Sequence, residues 1–304
     1  MTYFKKFLFV LLTVLVSCQE KKVELPQIDL NLNPDELALF GKDLISTHLY
    51  ERDMAISPDG DEITYTLGNY KQSFRCLVQL KKTDEGWGER QILSFSGKYH
   101  DIEPFYSPDG QKLYFASTRP MDADTTRTDY NLWVVKRTNS GWAEPAPLDT
   151  LINTTKDEFY PSVSKNGNLY YTATREDGIG REDIFLSKFT NGAYLAPIPL
   201  DSTVNTAVFE FNAYVSPDED LLVFSAFGRK DGQGGGDLYY SKKDAEGNWT
   251  AAKNLGEIVN SDKLDFCPYV DLERGNFYFT SDRAAPLNKK INKFSELEED
   301  ATQR

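Results

Sequence analysis

Five carboxylates recur along this chain, and each opens a short apolar stretch that ends in a turn, as at Ser57-Pro58-Asp59-Gly60. In four repeats an arginine follows the next apolar stretch. The acids are Glu51, Asp101, Glu158, Glu210 and Asp265, and the arginines are Arg119, Arg175, Arg229 and Arg283. Catalysis needs a unique constellation of side chains, whereas these residues recur once per repeat. The favoured interpretation is a ring of structural ion pairs, and the alternative is a site for a cation or another ligand.

Two further acids depart from the repeat and are the candidates for catalysis. Asp53 and Glu103 lie two residues after their repeated acid, where the other copies carry Tyr160, Asn212 and Cys267. A unique pair of carboxylates could serve glycoside hydrolysis as acid and base. The same two residues could merely extend the structural ring. The sequence therefore leaves open whether the protein is an enzyme.

Two glycine-rich segments carry carboxylates at a spacing that could hold calcium through oxygen ligands. They share the pattern Asp-Gly-x-Gly-x-x-Asp, with Asp177 and Asp183 in one segment and Asp231 and Asp237 in the other. We favour the alternative of a glycine-permissive loop whose second Asp hydrogen-bonds the start of the next strand. The two histidines, His48 and His100, lack zinc-binding spacing, and no Gly-x-Ser-x-Gly motif occurs. The sequence thus predicts no cofactor and no metal.

The elements that must position these residues follow from the spacing of the acids, which is 50 to 57 residues. The second repeat predicts strands over 103–106, 112–117, 130–136 and 142–148, separated by turn residues. Four antiparallel strands in a repeat of this length are typical of a propeller blade. We predict an all-β fold, a β-propeller of five four-stranded blades over residues 38–283. The acids and arginines then lie together at the mouth of the central channel, because antiparallel strands start and end at the same face.

A finer repeat predicts how the ring closes. A small polar residue lies five positions before each acid: Ser46, Ser96, Asn153, Asn205 and Asn260. Because Ser46 belongs to the N-terminal part of the chain, we predict that residues 38–40 supply the outermost strand of the last blade, which removes the sheet edges. Residues 284–304 are polar and lack the signature of a third strand, so we expect them to be helical or irregular and the chain to be truncated at its C-terminus.

The repeated pattern acid-x-x-Pro-x-x-Ser-Pro-Asp-Gly-x-x-Leu-Tyr-Phe-x-Ser-x-Arg, matched best at 101–119, resembles the TolB-type (WD40-like) β-propeller repeat. The resemblance covers roughly residues 44–283. It implies a periplasmic or cell-surface module that binds proteins, and it makes six blades the alternative to five. Peptidase and peptidoglycan-binding domains, which are fused to some members of that family, are not found in this sequence.

The N-terminus reads as a secretion signal. Lys5 and Lys6 precede the ten-residue, largely apolar stretch 7–16, which is too short to span a bilayer. The following Leu-Val-Ser-Cys sequence resembles a bacterial lipobox, which implies cleavage before Cys18 and acylation of that residue. Gln19 is not the Asp of an inner-membrane retention signal, so the resemblance favours the outer membrane. We expect residues 1–18 to be the signal and 19–37 a flexible tether.

The formal net charge of −13 excludes an electrostatic footprint for nucleic acid and disfavours binding to anionic lipid, so the lipid alone would hold the protein at a membrane. Cys76 and Cys267 fall in different strand types, and we expect buried thiols in apolar surroundings and not a disulfide. The sequence thus predicts a monomeric outer-membrane lipoprotein, on the periplasmic side or the cell surface, that binds an envelope protein or peptide. The alternative is a carbohydrate-active protein, either a glycan binder or a glycosidase that uses acids at the channel mouth.

Overall fold

The structure is a computed structural model that describes residues 25–32, 37–121 and 126–283. These residues form antiparallel sheets and contain no helix. No helix among them is therefore long and apolar enough to cross a membrane. The first sheet consists of Tyr50–Ile56 (β1), Glu62–Gly68 (β2), Arg75–Thr83 (β3), Gly86–Trp87 (β4) and Gln91–Ile92 (β5). The second consists of Asp101–Tyr106 (β6), Lys112–Ser117 (β7), Asn131–Thr138 (β8), Gly141–Trp142 (β9) and Ala146–Pro147 (β10).

The remaining sheets follow the same order. The third consists of Glu158–Val163 (β11), Leu169–Ala173 (β12), Asp183–Ser187 (β13) and Ile198–Pro199 (β16), beside a hairpin of Phe189–Thr190 (β14) and Ala193–Tyr194 (β15). The fourth consists of Phe209–Val215 (β17), Leu221–Phe227 (β18), Asp237–Lys242 (β19) and Lys253–Asn254 (β20). The fifth consists of Asp265–Asp271 (β21) and Asn276–Ser281 (β22).

The first strand of each sheet lies innermost. Strands β1, β6, β11, β17 and β21 contact one another in this order, and β21 also contacts β1, so together they enclose one centre. Each of them starts at the face that carries its repeated acid, and the paired second strand returns to that face. We name this face the acid face. The opposite face, which carries the turns between first and second strands, is the turn face.

The predicted propeller arrangement is present, but the number of complete blades differs from the prediction. Four sheets have at least four strands, whereas the sheet opened by Asp265 has two within the described residues. The prediction of five or six four-stranded blades is therefore wrong for residues 25–283, which form four complete blades and one two-stranded sheet. A third strand of this sheet would fall near residue 291, but the segment 284–304, which we expected to be helical or irregular, lies outside the described residues.

The second sheet shows how closely the pattern predicts individual strands. Strand β7 coincides with the predicted second strand, and β6 and β8 lie within two residues of their predicted limits. The fourth strand, predicted over 142–148, is two short pieces instead, because Pro145 and Pro147 have no N–H for a continuous ladder. Strand β9 pairs with the end of β8 and β10 with its middle.

The small polar residue before each acid fastens the linker between blades. Asn153 shows the arrangement: its Oδ1 accepts from the Leu132 N–H at 2.7 Å, and its Nδ2 donates to the carbonyls of Leu132 and Leu148, both at 3.0 Å. Asn205 and Asn260 bond in the same way to the second residue of β13 and of β19. The linker is therefore tied to the third strand of the preceding blade.

Part of the predicted tether is packed against the propeller. The N–H of Trp87 donates to the Pro26 carbonyl at 2.9 Å, and its indole Nε1 donates to the Ile28 carbonyl at 3.0 Å. The Nδ2 of Asn276 donates to the carbonyl of Leu30, a residue that is only 4% exposed. The prediction of a flexible tether over 19–37 is therefore wrong for residues 25–30, because Ile28 and Leu30 pack into the core between the first and last sheets.

The strand predicted over 38–40 is not formed. These residues belong to no ladder among the described residues. The ring of Phe40 packs edge-on against that of Tyr278 in β22, with centroids 4.7 Å apart, and Ser46 Oγ donates to the Phe40 carbonyl at 2.8 Å. Side-chain packing, and not strand pairing, therefore holds this segment on the last sheet.

Candidate functional site

The five repeated acids, which we name the acid ring, lie at the start of the innermost strands, and three of them pair with the arginine of their own sheet. The Nη2 of Arg119 lies 2.6 Å from Asp101 Oδ1. The corresponding distances are 2.9 Å from Arg229 Nε to Glu210 Oε1 and 2.6 Å from Arg283 Nη2 to Asp265 Oδ1. These acids are 0% exposed, and each also accepts from a hydroxyl of the preceding linker. Their oxygens are thus occupied within the protein.

The first and third acids lack such an arginine. Glu158 accepts from the N–H and the hydroxyl of Thr154 at 3.0 and 2.6 Å, whereas Arg175 lies 3.5 Å from Asp177. Burial raises the pKa of Glu158 to about 7, although the Thr154 bonds and the charge of Arg175 act in the opposite direction. Glu51 accepts from the hydroxyl of Thr47, and Arg90 is 4.0 Å away. The predicted arrangement of one ion pair per blade is therefore incomplete.

Every innermost strand contains a β-bulge two residues after its acid, where the register with the second strand shifts. The residue at this point has a left-handed backbone, with φ between 50 and 60°. We name these five residues the inner ring: Asp53, Glu103, Tyr160, Asn212 and Cys267. A positive φ costs on the order of 1–3 kcal/mol for such residues and persists only where the surroundings hold it.

The surroundings that hold it are hydroxyls of the neighbouring sheet. The N–H of Glu103 donates to Thr66 Oγ1 in β2 at 2.9 Å, and the N–H of Asn212 donates to Thr172 Oγ1 in β12 at 3.0 Å. The N–H of Asp53 donates to Thr280 Oγ1 in β22 at 3.3 Å, which links the first sheet to the last. These threonines occupy equivalent positions in the second strands, each opposite the residue after the acid.

The second sheet has Ala116 at this position, which has no hydroxyl. The side chain of Glu103, a member of the inner ring, accepts the backbone N–H instead. The N–H of Tyr160 donates to Glu103 Oε2 at 2.7 Å. The fourth sheet has Ser225 there, whose buried Oγ has no hydrogen-bond partner in the part of the chain that the structure describes. The carboxylate of Glu103 therefore accepts the N–H that a threonine hydroxyl accepts in the first, third and fifth sheets, because its own sheet has alanine there.

Arg52 joins the two acids of the inner ring. Its Nε lies 2.6 and 2.7 Å from the carboxylate oxygens of Asp53, and its Nη2 lies 2.8 Å from Glu103 Oε1. The thiol of Cys267 donates to Asp53 Oδ1 at 2.5 Å, and Asn212 Nδ2 donates to Glu103 Oε1 at 3.3 Å. Side chains of the first, second, fourth and fifth sheets thus form one hydrogen-bonded network at the centre.

The network contains more acidic groups than cations. Burial, and next the charge of Asp53, raises the pKa of Glu103 to about 7, while Arg52 acts to lower it. Burial and then Asp53 also raise the pKa of the Cys267 thiol, which keeps it protonated and able to donate. Asp53 and Glu103 are 1% and 3% exposed. The pair that sequence singles out for catalysis is therefore brought together, but a substrate cannot reach it in this conformation.

Aromatic side chains fill the centre on the turn-face side of the inner ring. The rings of Tyr214 and Tyr269 are 5.7 Å apart, and those of Phe105 and Tyr214 are 6.3 Å apart. The hydroxyl of Tyr269 donates to the Ile56 carbonyl at 3.0 Å. Among the described residues, the centre on this side of the inner ring is therefore packed with side chains.

The glycine-rich loops use their two acids separately. Asp183 accepts from the backbone N–H groups of Ile179 and Gly180 at 2.7 and 3.0 Å, and Asp237 accepts from that of Gln233 at 2.5 Å. The second Asp thus closes its own loop and does not bond to the start of the next strand. Asp177 pairs with Arg175, and Asp231 accepts from the hydroxyl of Tyr239 at 2.9 Å. Within the described ranges no three His, Cys, Asp or Glu residues are grouped so that they could hold a metal.

Cys76 and Cys267, the cysteines within the described residues, are buried free thiols, but their surroundings differ. Cys76 packs in the apolar core of the first sheet. Cys267 belongs to the polar network at the centre, so the expectation of apolar surroundings is wrong for this residue.

A cavity of about 630 Å³ lies on the acid face between the second and third sheets. Its lining includes Arg127, Asp129, Asp157, Phe159 and Glu182, together with several threonines. Arg127 Nε lies 2.9 Å from Asp129 Oδ1, and its Nη2 donates to the Thr154 carbonyl at 2.6 Å. Burial, and then Asp157, raises the pKa of Glu182. The volume falls within the range of pockets that bind small molecules or peptide side chains.

Exposed apolar side chains also occur elsewhere on the acid face. They lie in the linkers before the first strands and in the loops after the second strands: Tyr70, Phe74, Leu151, Ile179, Phe227 and Ile258. Single exposed apolar residues are normal on a protein surface, and these lie on the same face as the cavity.

No family model matches this chain, and no curated protein sequence is significantly similar to it. Similar solved structures include TolB from Acinetobacter baumannii, which is 14% identical with a TM-score of 0.49, over 73% of this chain and 47% of that one. They also include the putative TolB from Agrobacterium tumefaciens, at 13% identity and a TM-score of 0.47, over 77% of this chain and 81% of that one. The chain thus spans about half the length of the Acinetobacter protein. Both structures are described as TolB proteins, the type of propeller that the sequence repeat resembles.

Proposed function

We propose that this protein is a lipid-anchored β-propeller of the cell envelope that binds a protein or peptide partner on its acid face. The observation that carries the proposal is the acid face itself, which has both the cavity of about 630 Å³ and exposed apolar side chains in its linkers and loops. Apolar and aromatic anchors around a pocket are the usual core of a protein interface.

The inner acids support a binding role over an enzymatic one. Asp53 and Glu103 are held by Arg52, and their oxygens already accept from Cys267, Tyr160 and Asn212. A glycosidase needs both carboxyls accessible on either side of the scissile bond. We therefore do not extend the proposal to glycoside hydrolysis, and we assign the acid ring to structure. We also assign β21 and β22 to the inner half of a fifth blade.

The anchor belongs to the proposal through the Leu-Val-Ser-Cys sequence that ends at Cys18, with the outer membrane as the location, on its periplasmic side or at the surface. Metabolic labelling with palmitate tests it. We expect label on the natural protein and none on Cys18→Ala, which should stay soluble or uncleaved. Equal labelling of both proteins would remove the anchor from the proposal.

The partner site is tested with the purified protein on peptide and glycan arrays. Ile179→Asp and Ile258→Asp place a charge on the acid face, and we expect each to weaken binding to the peptides that score at least tenfold. The matched control is Leu272→Asp, because Leu272 is 53% exposed but lies in a turn of the turn face. Binding to glycans alone, or equal losses in all three variants, would contradict a protein partner on the acid face.

A further inference from the structure

The segment at residues 25–30, which we name the clasp, joins the first and last sheets without entering either. On the first sheet, Gln27 Nε2 donates to the Glu85 carbonyl at 2.9 Å, beside the two bonds that Trp87 donates to the clasp. On the last sheet, Asn276 Nδ2 donates to the Leu30 carbonyl at 2.6 Å. Apart from the Gln27 bond, the other three bonds use backbone carbonyls of the clasp, those of Pro26, Ile28 and Leu30, and therefore fix the path of its main chain.

The clasp lies on the turn face. Glu85 and Trp87 follow the end of β3, which runs from the acid face to the turn face, and Asn276 begins β22 at the turn face. The chain reaches the acid face only later, near Tyr50, where β1 begins. The end of the clasp that leads to the N-terminus is therefore held on the side opposite the cavity.

We infer that the clasp orients the anchored propeller, with the turn face toward the membrane and the acid face directed away from it. The inference rests on the acylation of Cys18 in the proposed function. Residues 19–24 separate Cys18 from Leu25, and a chain of that length spans at most about 25 Å when fully extended. Without the clasp, the next described residue that packs on the propeller is Phe40, and the chain from Cys18 to Phe40 could span about 75 Å, which would leave either face free to approach the lipid.

The clasp supplies an orientation that charge does not. The chain is strongly acidic, with a net charge of −13, so attraction to anionic lipid does not hold it at the membrane. A short link fixed at one face confines that face to the membrane side. The partner surface on the acid face then remains accessible to proteins of the surrounding compartment.

The first test asks whether the clasp is held as described, independently of any lipid. Leu30→Asp places a charge on a residue that is 4% exposed, and Leu32→Asp, two positions along, is the matched control at 63% exposure. In the soluble Cys18→Ala background we expect hydrogen exchange at the Trp87 amide to accelerate at least tenfold in Leu30→Asp and to stay unchanged in Leu32→Asp. Unchanged exchange in Leu30→Asp would overturn the clasp.

The second test measures orientation on vesicles of phosphatidylethanolamine and phosphatidylglycerol that contain an acceptor-labelled lipid. Donor dyes are placed on Leu272→Cys at the turn face and on Ile258→Cys at the acid face, since the two natural cysteines of the fold are buried. We expect stronger energy transfer from the turn face, and a smaller difference in Leu30→Asp. Equal transfer from both positions on anchored protein would refute the orientation, whereas failure of the acylated protein to join the vesicles would refute the lipid anchor.

Discussion

In every innermost strand the residue of the inner ring lies two positions after the residue of the acid ring, yet the two rings repeat different features. In the acid ring the side chain repeats, as Asp or Glu in all five copies, and in three copies it pairs with the arginine that follows the second strand of the same sheet. In the inner ring the backbone repeats, with a left-handed residue each time, while the side chains are all different. The acid ring therefore builds one blade, and the inner ring joins blades to one another.

The comparison shows where a repeat protein becomes asymmetric. A left-handed bulge fixes where a side chain points but not what it is, so each copy can diverge once the backbone bond to its neighbour is secured. Arg52, Asp53 and Glu103 are the result, a charged cluster that exists once in the described structure. The predictions that follow test whether the two rings carry these separate roles.

The largest effect is expected from Arg52→Met, because it leaves Asp53 and Glu103 buried beside each other without a cation. Breaking a buried pair in this way costs about 3–5 kcal/mol. Denaturant unfolding of the variant measures it. The control is Arg90→Met, whose partner Glu51 is 4.0 Å away and whose side chain is 32% exposed, so a loss below about 1 kcal/mol is expected. A loss in Arg52→Met as small as that expected for the control would mean that the inner network adds nothing to stability.

The second effect separates members of the acid ring. Arg119→Met removes the partner of the fully buried Asp101 and should cost about 1–3 kcal/mol. Arg175→Met should cost less than about 1 kcal/mol, because Arg175 pairs with the exposed Asp177 and not with Glu158. Thermal unfolding of the two variants under the same conditions measures the difference between the two losses. An Arg175 variant as unstable as the Arg119 variant would show that the third acid depends on its arginine after all.

The third effect tests whether Glu103 replaces a hydroxyl. Glu103→Ala leaves the N–H of Tyr160 without its acceptor, and Ala116→Ser restores a hydroxyl at the position where other sheets carry threonine. We expect the serine to recover about 1 kcal/mol in the Glu103→Ala background and to give no gain in the natural chain. A double-mutant cycle from denaturant unfolding measures this coupling. Strict additivity of the two changes would refute the substitution.

The smallest effect is a pH dependence of stability that comes from one member of the acid ring, Glu158. The pKa of Glu158 is raised by burial to about 7, whereas the unfolded chain titrates near 4.5. Between these values the native state binds a proton that the unfolded state has lost, so the free energy of unfolding falls as pH rises through this window. Glu158→Gln should lessen the fall in Tm between pH 5 and 7.5 by a few degrees. Glu176→Gln, at an exposed position, should leave the fall unchanged, and a flat profile in the natural chain would contradict the raised pKa of Glu158.

The sequence was sufficient for the blades because their signals are local. The Ser-Pro-Asp-Gly turns and the alternation of strand residues predicted β7 at both ends, and the position five before each acid marked the linker bonds of Asn153. Three of the predicted ion pairs also follow from position alone, since a second strand must return to the face where the first began.

What could not be predicted depends on contacts between distant segments. No local signal places Tyr160 or Cys267 in a left-handed conformation, because neither side chain favours it. For Asp53, Glu103 and Asn212 a hydroxyl on another sheet accepts the N–H of the bulge residue, and for Tyr160 a carboxylate does. The clasp was missed for a similar reason, since the polar composition of residues 19–37 outweighed Ile28 and Leu30, the two apolar side chains that anchor it.

The bond from Asp53 to Thr280 has a consequence for the order in which the molecule assembles. Its partners are 227 residues apart in the chain, whereas the equivalent bonds of Glu103 and Asn212 span 37 and 40 residues. Closing the longer loop costs roughly 1.5 kcal/mol more in chain entropy than closing the shorter ones. During synthesis the first sheet must also wait for β22 to emerge from the ribosome. The seam between the first and last sheets is therefore the final part of the ring to form, and until it does, the nascent protein is an open arc with β1 unprotected.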